Sequence, residues 1–298
     1  MSNAETVSKR FRQHWGERTA SGAARKALEA MIPGAALASI PINVEAAAKF
    51  VGIEQIVQGE LPGVDGLLSL TSSGTYLVTL SRKQSRARKR FTLAHEIGHL
   101  VVLNSVGRPE GSTAANDLGC RAASAEDLEE ERLCDLLASE LLMPRKAFLQ
   151  QMQLEGVCAR SIPAIARHFD VSLHAASRRV ADLQGYEIGV SWWCLSESAS
   201  HLVPRWYLTK KGPMALPYAI DIKHASAALF SDTPVRGWHW LALQGQMDKY
   251  YVDIQPLPGT GKSWLLIVVF GDTAQQILAQ ISRGRGRSPD QQLPLAED

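Results

Sequence analysis

The segment FTLAHEIGHL contains a His-Glu-x-x-His motif formed by His95, Glu96 and His99. On an α-helix, residues four positions apart project from one face about one turn from each other, so both imidazoles can bind one zinc ion. Glu96 then lies beside the metal, where a carboxylate can act as a general base towards water. The spacing therefore predicts a hydrolytic zinc centre, with His95 and His99 as metal ligands and Glu96 as the catalytic base.

A hydrolytic zinc site also needs a third protein ligand and one open position. The acidic helix predicted over 126–142 offers Glu131, which lies 32 residues after His99. Its neighbours along the helix are apolar, so we expect its carboxylate to point into the protein, where a metal ion would pair an otherwise costly charge. These neighbours are Cys134, Ala138 and Leu142.

Glu130 is the alternative third ligand, because it lies on an almost equally apolar line of the same helix. Helical periodicity therefore leaves both glutamates open. Asp135 favours Glu131, since it follows Glu131 by one turn and can accept the spare N–H of a ligating histidine. The acidic start of this helix could also be a solvated first turn that holds no ligand.

The composition is that of an ordinary globular protein, with 32 Lys and Arg against 30 Asp and Glu in 298 residues. A net charge of +2 gives no strong attraction towards nucleic acid or a membrane surface. The apolar run 264–270 is far shorter than the ~20 residues of a spanning helix, and the basic start lacks the apolar core of a secretory signal. We therefore expect a cytoplasmic protein with no membrane partner.

The four cysteines are scattered along the chain and include no Cys-x-x-Cys pair. This spacing argues against both a disulfide framework and a zinc knuckle. The cysteines are Cys120, Cys134, Cys158 and Cys194.

Capping residues and hydrophobic periodicity predict the elements around the motif. They are a helix within 41–52 capped by Asn43, a hairpin over 66–80, a helix over 91–103 and two short helices over 161–183. The hairpin strand Thr75–Leu80 could pair with an extended substrate, or it could equally be an ordinary strand of the core. Residues 1–24 and 283–298 are polar, so both are expected to be frayed.

The composition of the chain changes near residue 186. Of its 20 aromatic residues, 13 lie between residues 186 and 270, in short β-prone runs. A second, sheet-rich domain is therefore predicted. Within it, PGTGKS at 258–263 looks like a phosphate-binding loop. However, Pro256 stands where that motif needs its first glycine, and a β-prone run follows, so we expect a hairpin turn.

The segments RKRFTLAHEIGHLVVL and ERLCDLLASELLMP, with the earlier PINVEAAAKFVGI, resemble the ImmA/IrrE family of bacterial metallo-endopeptidases over roughly residues 40–150. The resemblance implies an α+β fold with a zincin-like peptidase domain. It also implies Zn²⁺ bound by His95, His99 and Glu131, with Glu96 as general base. The chain departs from the family pattern at Cys134, Asp135 and Leu137, where Ala, Asn and Phe are usual.

The targets of this family are typically helix-turn-helix transcriptional repressors. The resemblance therefore implies a zinc-dependent endopeptidase that cleaves a regulatory protein and derepresses stress or mobile-element genes. By the same resemblance, residues 25–156 would form the peptidase domain and residues 157–185 a helix-turn-helix-like segment. Residues 186–282 would form a sheet-rich, GAF-like sensor domain. Independently of the resemblance, the composition of residues 283–298 predicts a disordered tail.

Segment 162–183 supports a second hypothesis from another class of function. Its outline is that of a helix-turn-helix whose second helix carries His174, Arg178 and Arg179. Three such side chains are few for reading bases and binding phosphates, so a helical pair that packs on the peptidase core is the simpler expectation. The alternative function is a DNA-binding or ligand-sensing transcriptional regulator with a structural or vestigial metal site.

Overall fold

The structure is a computed structural model that describes residues 6–107, 125–155, 158–183, 188–195, 201–209, 220–221, 232–243, 246–257 and 263–269. The predicted tail 283–298 and most of the PGTGKS segment lie outside these residues. None of the described helices combines the length and the apolar content that crossing a bilayer requires.

The chain divides into two compact units. The N-terminal unit comprises residues 1–147 and 168–172, and the C-terminal unit comprises residues 148–167 and 173–298. The finer division expected from the sequence, with boundaries after residues 156 and 185, stays a prediction.

The N-terminal unit is built mainly from helices. Their bounds are α1 Val7–Trp15, α2 Ala20–Met31, α3 Gly34–Leu37, α4 Val44–Phe50, α5 Arg86–Val106 and α6 Ala125–Leu142. The short helix α4 confirms the helix predicted within 41–52, and the Asn43 side chain accepts a hydrogen bond from the Ala46 N–H as its N-cap.

The first 24 residues contain more structure than their polarity suggests. We expected residues 1–24 to be frayed. This expectation is wrong for the described residues, because α1 and the start of α2 lie within that range. Phe11 has no exposed surface, and the guanidinium of Arg10 donates a hydrogen bond to the carbonyl of Val106 at the end of α5. A few buried side chains therefore anchor a mostly polar helix.

A three-stranded sheet lies next to α5. Its strands are β1 Ile53–Gly59, β2 Gly66–Leu70 and β3 Tyr76–Ser81, in the order β1-β3-β2. The antiparallel pair β2/β3 confirms the predicted hairpin, and β1 pairs with β3 in parallel. Because β3 is bonded on both sides, the proposed pairing of Thr75–Leu80 with a substrate is wrong. The outer strands are β1 and β2.

Helix α5 carries the motif and is longer than the predicted 91–103. It begins after Ser85, whose hydroxyl accepts a hydrogen bond from the Arg88 N–H, and it ends at Val106 before Gly107. One side of α5 packs on β2 and β3, and α6 packs along another side. The motif residues are thus held between a sheet and a second helix.

The remaining elements are helical first and then sheet-rich. Helix α7 spans Arg145–Glu155, α8 Ser161–Phe169 and α9 Leu173–Leu183. The strands are β4 Ile188–Leu195, β5 His201–Thr209, β6 Ile220–Asp221, β7 Val235–Leu243, β8 Gln246–Pro256 and β9 Ser263–Val269. They form an antiparallel sheet in the order β6-β5-β4-β9-β8-β7, and α9 packs on β4 and β5. This sheet confirms the predicted sheet-rich C-terminal region.

Candidate metal centre

The three motif residues and Glu131 come together where α5 and α6 pack side by side. Glu131 lies between the two histidines: its Oε2 is 3.1 Å from His95 Nε2, and its Oε1 is 3.5 Å from His99 Nε2. The Glu131 carboxylate therefore faces the Nε2 atom of each histidine. These three side chains form a set whose ligand atoms all lie within 4.8 Å of one another.

The other ring nitrogens face two further carboxylates of α6. His95 Nδ1 is 2.9 Å from Asp135 Oδ1, and His99 Nδ1 is 3.1 Å from Glu130 Oε1. A carboxylate that accepts the Nδ1–H of a histidine fixes the ring orientation and leaves Nε2 free to bind a metal. Glu130 and Glu131 are thus both near the histidines, but on opposite sides of the His99 ring.

A second possible metal set shares His99 and consists of His99 Nδ1, Glu130 and Cys134. Cys134 has no exposed surface, and its Sγ is 3.4 Å from His99 Nδ1. Burial, with the nearby carboxylates, raises the pKa of the Cys134 thiol well above its ordinary value. This second set contains one motif histidine, whereas the set with Glu131 contains both.

Glu96 is buried beside these ligands, with 4 % of its surface exposed. Burial raises the pKa of its carboxyl group. Its Oε2 atom is enclosed and has no hydrogen-bond partner among the described residues. A buried acceptor of this kind is expected to have a donor, and a water molecule held at the metal would supply one, so a zinc ion fits the residues present.

His95 carries a proton in the protein without metal. Burial lowers its pKa, but hydrogen bonds to Asp135 and Glu131 outweigh that effect and raise the pKa to about 10. A metal ion bound at Nε2 must therefore displace this proton.

The site opens into a cavity of about 330 Å³. The motif face of α5 and part of α6 form one wall, and residues 63–66 before and at the start of β2 form the other. At the rim, the Arg88 guanidinium pairs with Asp65 and lies 5.7 Å from the ring centre of Phe91. No motif spacing predicts this pair, since its members are 23 positions apart in different elements.

Two glycines allow the closest approaches in the site. A Cβ at Gly98 would lie 3.1 Å from both Cα and the carbonyl oxygen of Cys134, so α5 and α6 touch almost backbone to backbone. This contact brings Glu131 within reach of the motif histidines. Gly66 makes the second close approach, to the side chains of Thr92 and Glu96.

Of the three candidate DNA-contacting residues of α9, one is buried, and the two exposed ones each contact a neighbouring side chain. Arg179 is 3 % exposed, and the ring of His174 packs edge-on against Trp206 with 5.2 Å between ring centres. Arg178 lies 3.6 Å from Asp182 one turn later. These contacts do not favour α9 as a base-reading helix.

Comparison with known proteins gives three similarities. Residues 55–181 match the family model of the IrrE N-terminal-like domain. The radiation response metalloprotease IrrE of Deinococcus radiodurans is 34% identical over 91 residues, which are 30% of this chain and 26% of that protein. The chain thus matches about a quarter of the length of this curated relative.

A transcriptional regulator of Mycobacterium tuberculosis is similar in structure, with a TM-score of 0.49 and 15% sequence identity. This likeness covers 97% of this chain and 88% of the other. The range matched by the family model begins in β1 and ends in α9, so it contains the whole candidate metal centre.

Proposed function

We propose that the protein is a zinc-dependent endopeptidase of the ImmA/IrrE family. The proposal is supported by the match of residues 55–181 to the IrrE N-terminal-like domain and by the similarity to the metalloprotease IrrE. The observation that carries the proposal is the placement of the Glu131 carboxylate between the Nε2 atoms of His95 and His99, next to the buried Glu96. Two imidazoles and one carboxylate with an open side are the ligand set of hydrolytic zinc sites.

His95, His99 and Glu131 would hold the zinc ion. Zinc at this position supplies Lewis acidity, which lowers the pKa of a water molecule and polarises the scissile carbonyl. Asp135 and Glu130 keep the two imidazoles turned with Nε2 towards Glu131, through their contacts with Nδ1.

Glu96 transfers the proton. Its carboxylate accepts a proton from the attacking water and returns it to the amine nitrogen of the leaving peptide. The raised pKa of Glu96 suits both steps, because a general base works best when its pKa approaches the working pH. Burial also excludes bulk water from this carboxylate.

The substrate would be a protein segment in extended form. Among the described strands, β2 is an outer strand of the sheet, and its first residue, Gly66, lines the cavity, so an extended chain could add to the outer edge of β2. By analogy with the family, we propose a helix-turn-helix repressor as the substrate in the cytoplasm. Its cleavage would derepress stress or mobile-element genes.

The peptidase unit would have the zincin-like α+β fold of the family, and the sheet-rich C-terminal region would act as a GAF-like sensor that governs cleavage. The proposal for the sensor is supported by the size of the C-terminal sheet, which has its own core around Val190, Trp193 and Val252. None of the proposed ligands or the base lies in that region.

The test is cleavage of a proteome-derived peptide library by zinc-loaded protein. The wild type should cut the library, whereas Glu96→Gln should keep one zinc ion per chain and lose cleavage by at least 10²-fold, the usual contribution of a general base. Glu54→Gln is the matched control, since Glu54 is an exposed residue of β1, and it should cleave like the wild type.

Zinc-loaded wild type that cuts no peptide, or a Glu96→Gln protein that cuts as well as the wild type, would contradict the proposal. The proposed substrate class is judged separately on intact helix-turn-helix repressors. If the enzyme cuts the library but no such repressor, the repressor proposal fails while the peptidase proposal stands.

A further inference from the structure

Gly66 is the buried first residue of β2, at the point where the strand meets α5. A Cβ atom at this position would lie 2.5 Å from Thr92 Cγ2 and 2.8 Å from Glu96 Oε1. Both distances are far below the ordinary contact range of about 3.5–4.0 Å for non-bonded atoms. The space that a side chain would take at position 66 is therefore occupied by the methyl group of Thr92 and by the carboxylate of the proposed general base.

The backbone does not explain why this residue is a glycine. Gly66 is absent from the glycines with positive φ, and it pairs with Leu80 in regular antiparallel register. Alanine could adopt this conformation without strain. The need for glycine at position 66 is thus a need for close approach to α5.

Thr92 cannot make room for a larger residue. Its Oγ1 accepts a hydrogen bond from Gln84 Nε2 at 3.2 Å, and a β-branched side chain has little freedom at χ1. Turning the methyl group away from Gly66 would break that hydrogen bond. A Cβ at position 66 would therefore displace the Glu96 carboxylate, the less constrained of its two neighbours.

We propose that Gly66 is a positioning residue for the proposed hydrolysis: by having no side chain, it lets the Glu96 carboxylate lie directly against β2. The strand backbone then acts as a stop that fixes where the carboxylate points. The catalytic part of this inference rests on the proposed function. The contact itself does not, and it can be tested without any activity.

The first test is Gly66→Ala in the full-length, zinc-loaded protein. Zinc content should remain one ion per chain, because position 66 contacts none of the three proposed ligands. For the library peptide that the wild type cuts fastest, kcat should fall at least 10-fold with little change in KM, since misplacing a proton-transfer group by about 1 Å has effects of this size.

Gly59→Ala is the matched control. Gly59 lies in the same sheet, also without positive φ, and its Cβ would meet only a threonine methyl group, Thr79 Cγ2, at 3.0 Å. Its kcat should equal that of the wild type. Equal losses of kcat in both variants, or no loss in Gly66→Ala, would overturn the positioning role.

A second variant separates the effect on Glu96 from general strain. Thr92→Ser removes the clashing methyl group but keeps the hydroxyl, so Gly66→Ala with Thr92→Ser should recover much of any lost thermal stability while kcat stays low. Recovery of kcat to the Thr92→Ser level would show that Thr92, and not Glu96, senses position 66, and it would overturn the proposal.

The contact is measured independently by a double-mutant cycle on melting temperature in the Thr92→Ser background. Gly66→Ala should lower Tm when Glu96 is present and have a much smaller effect when Glu96 is replaced by Ala. Equal Tm shifts in both backgrounds would contradict the contact. If the wild type proves inactive but the shifts differ, the proposed function fails while the contact between Gly66 and Glu96 stands.

Discussion

Replacing Gly98 with Ala tests whether the closeness of α5 and α6 builds the metal site. The new Cβ would lie 3.1 Å from Cα and the carbonyl oxygen of Cys134 and 3.2 Å from its Cβ. Because carbon atoms in contact are about 3.5–4.0 Å apart, the helices must separate by roughly 0.4 Å or more at this point. The atoms that clash belong mainly to the backbone of α6, so no side-chain rotation can relieve the contact.

Two opposing energies decide the effect on stability. An alanine in a helix interior is about 1 kcal/mol better than a glycine, whereas forcing extra volume into a packed contact costs about 1–3 kcal/mol. Since the neighbour is backbone, the upper part of that cost applies, and we expect a net loss of about 1–2 kcal/mol. Replacing an exposed glycine inside a helix with alanine would instead increase stability.

Gly98→Ala should also weaken zinc binding. His99 follows Gly98 directly, and its partner Glu131 lies on the helix that moves away. Metal sites tolerate only about 0.2 Å of error in ligand distances, so a separation of roughly 0.4 Å should weaken zinc binding at least 10-fold.

The assay is competition for zinc with a chromogenic chelator, together with thermal unfolding. Gly22→Ala in α2 is the control, because its Cβ would mainly meet the flexible end of the Glu17 side chain, 2.8 Å away. Gly22→Ala should bind zinc like the wild type. If Gly98→Ala binds zinc with unchanged affinity and unfolds at a higher temperature, the reasoning from the helix contact is refuted.

Two further predictions concern the carboxylates around the histidines. Glu131→Gln should weaken zinc binding about 10²-fold or more, because the roughly 10–16 kcal/mol of structural sites with four protein ligands corresponds to about 3 kcal/mol per ligand. Glu130→Gln, which alters only a partner of His99 Nδ1, should weaken it about 10-fold, and the reverse order in a chelator competition would contradict the assignment. In the metal-free protein, His95 has its pKa raised from 6.5 to about 10, so its contribution to stability is complete below pH 6.5 and is lost as the pH rises through 10. The free energy of unfolding in urea should therefore be lower at pH 9.5 than at pH 7, and Asp135→Asn should reduce this difference. An equal difference in both proteins would contradict the role of Asp135 in raising the pKa of His95.

Local patterns predicted the elements that carry the site. The structure contains α5, α6 and the β2/β3 pair, which correspond to the motif helix, the acidic helix and the hairpin predicted from the sequence. Each of these elements could be predicted because its signals, which are residue periodicity and caps, lie within a few positions of each other. The same kind of local pattern predicts Asn43 as the N-cap of α4. The match to the IrrE N-terminal-like domain confirms the family resemblance that these segments carry.

Long-range contacts were not visible in the sequence. The parallel pairing of β1 with β3, which puts β3 in the centre of the sheet, joins strands that have β2 between them in the chain. Periodicity could not distinguish Glu130 from Glu131, because both lie on nearly equally apolar lines of the helix. The structure separates them: Glu131 lies against Nε2 of both His95 and His99, whereas Glu130 lies against Nδ1 of His99. The close approach of Gly66 to Glu96 likewise joins residues 30 positions apart.

The zinc K-edge X-ray absorption spectrum of the zinc-loaded wild type is the most direct test of the metal centre. We expect nitrogen and oxygen ligands alone, from His95, His99 and Glu131 with a water molecule, at about 2.0–2.2 Å. A sulfur ligand at about 2.3 Å would place the zinc ion at Cys134 with His99 Nδ1 and Glu130, and it would contradict the proposed zinc site.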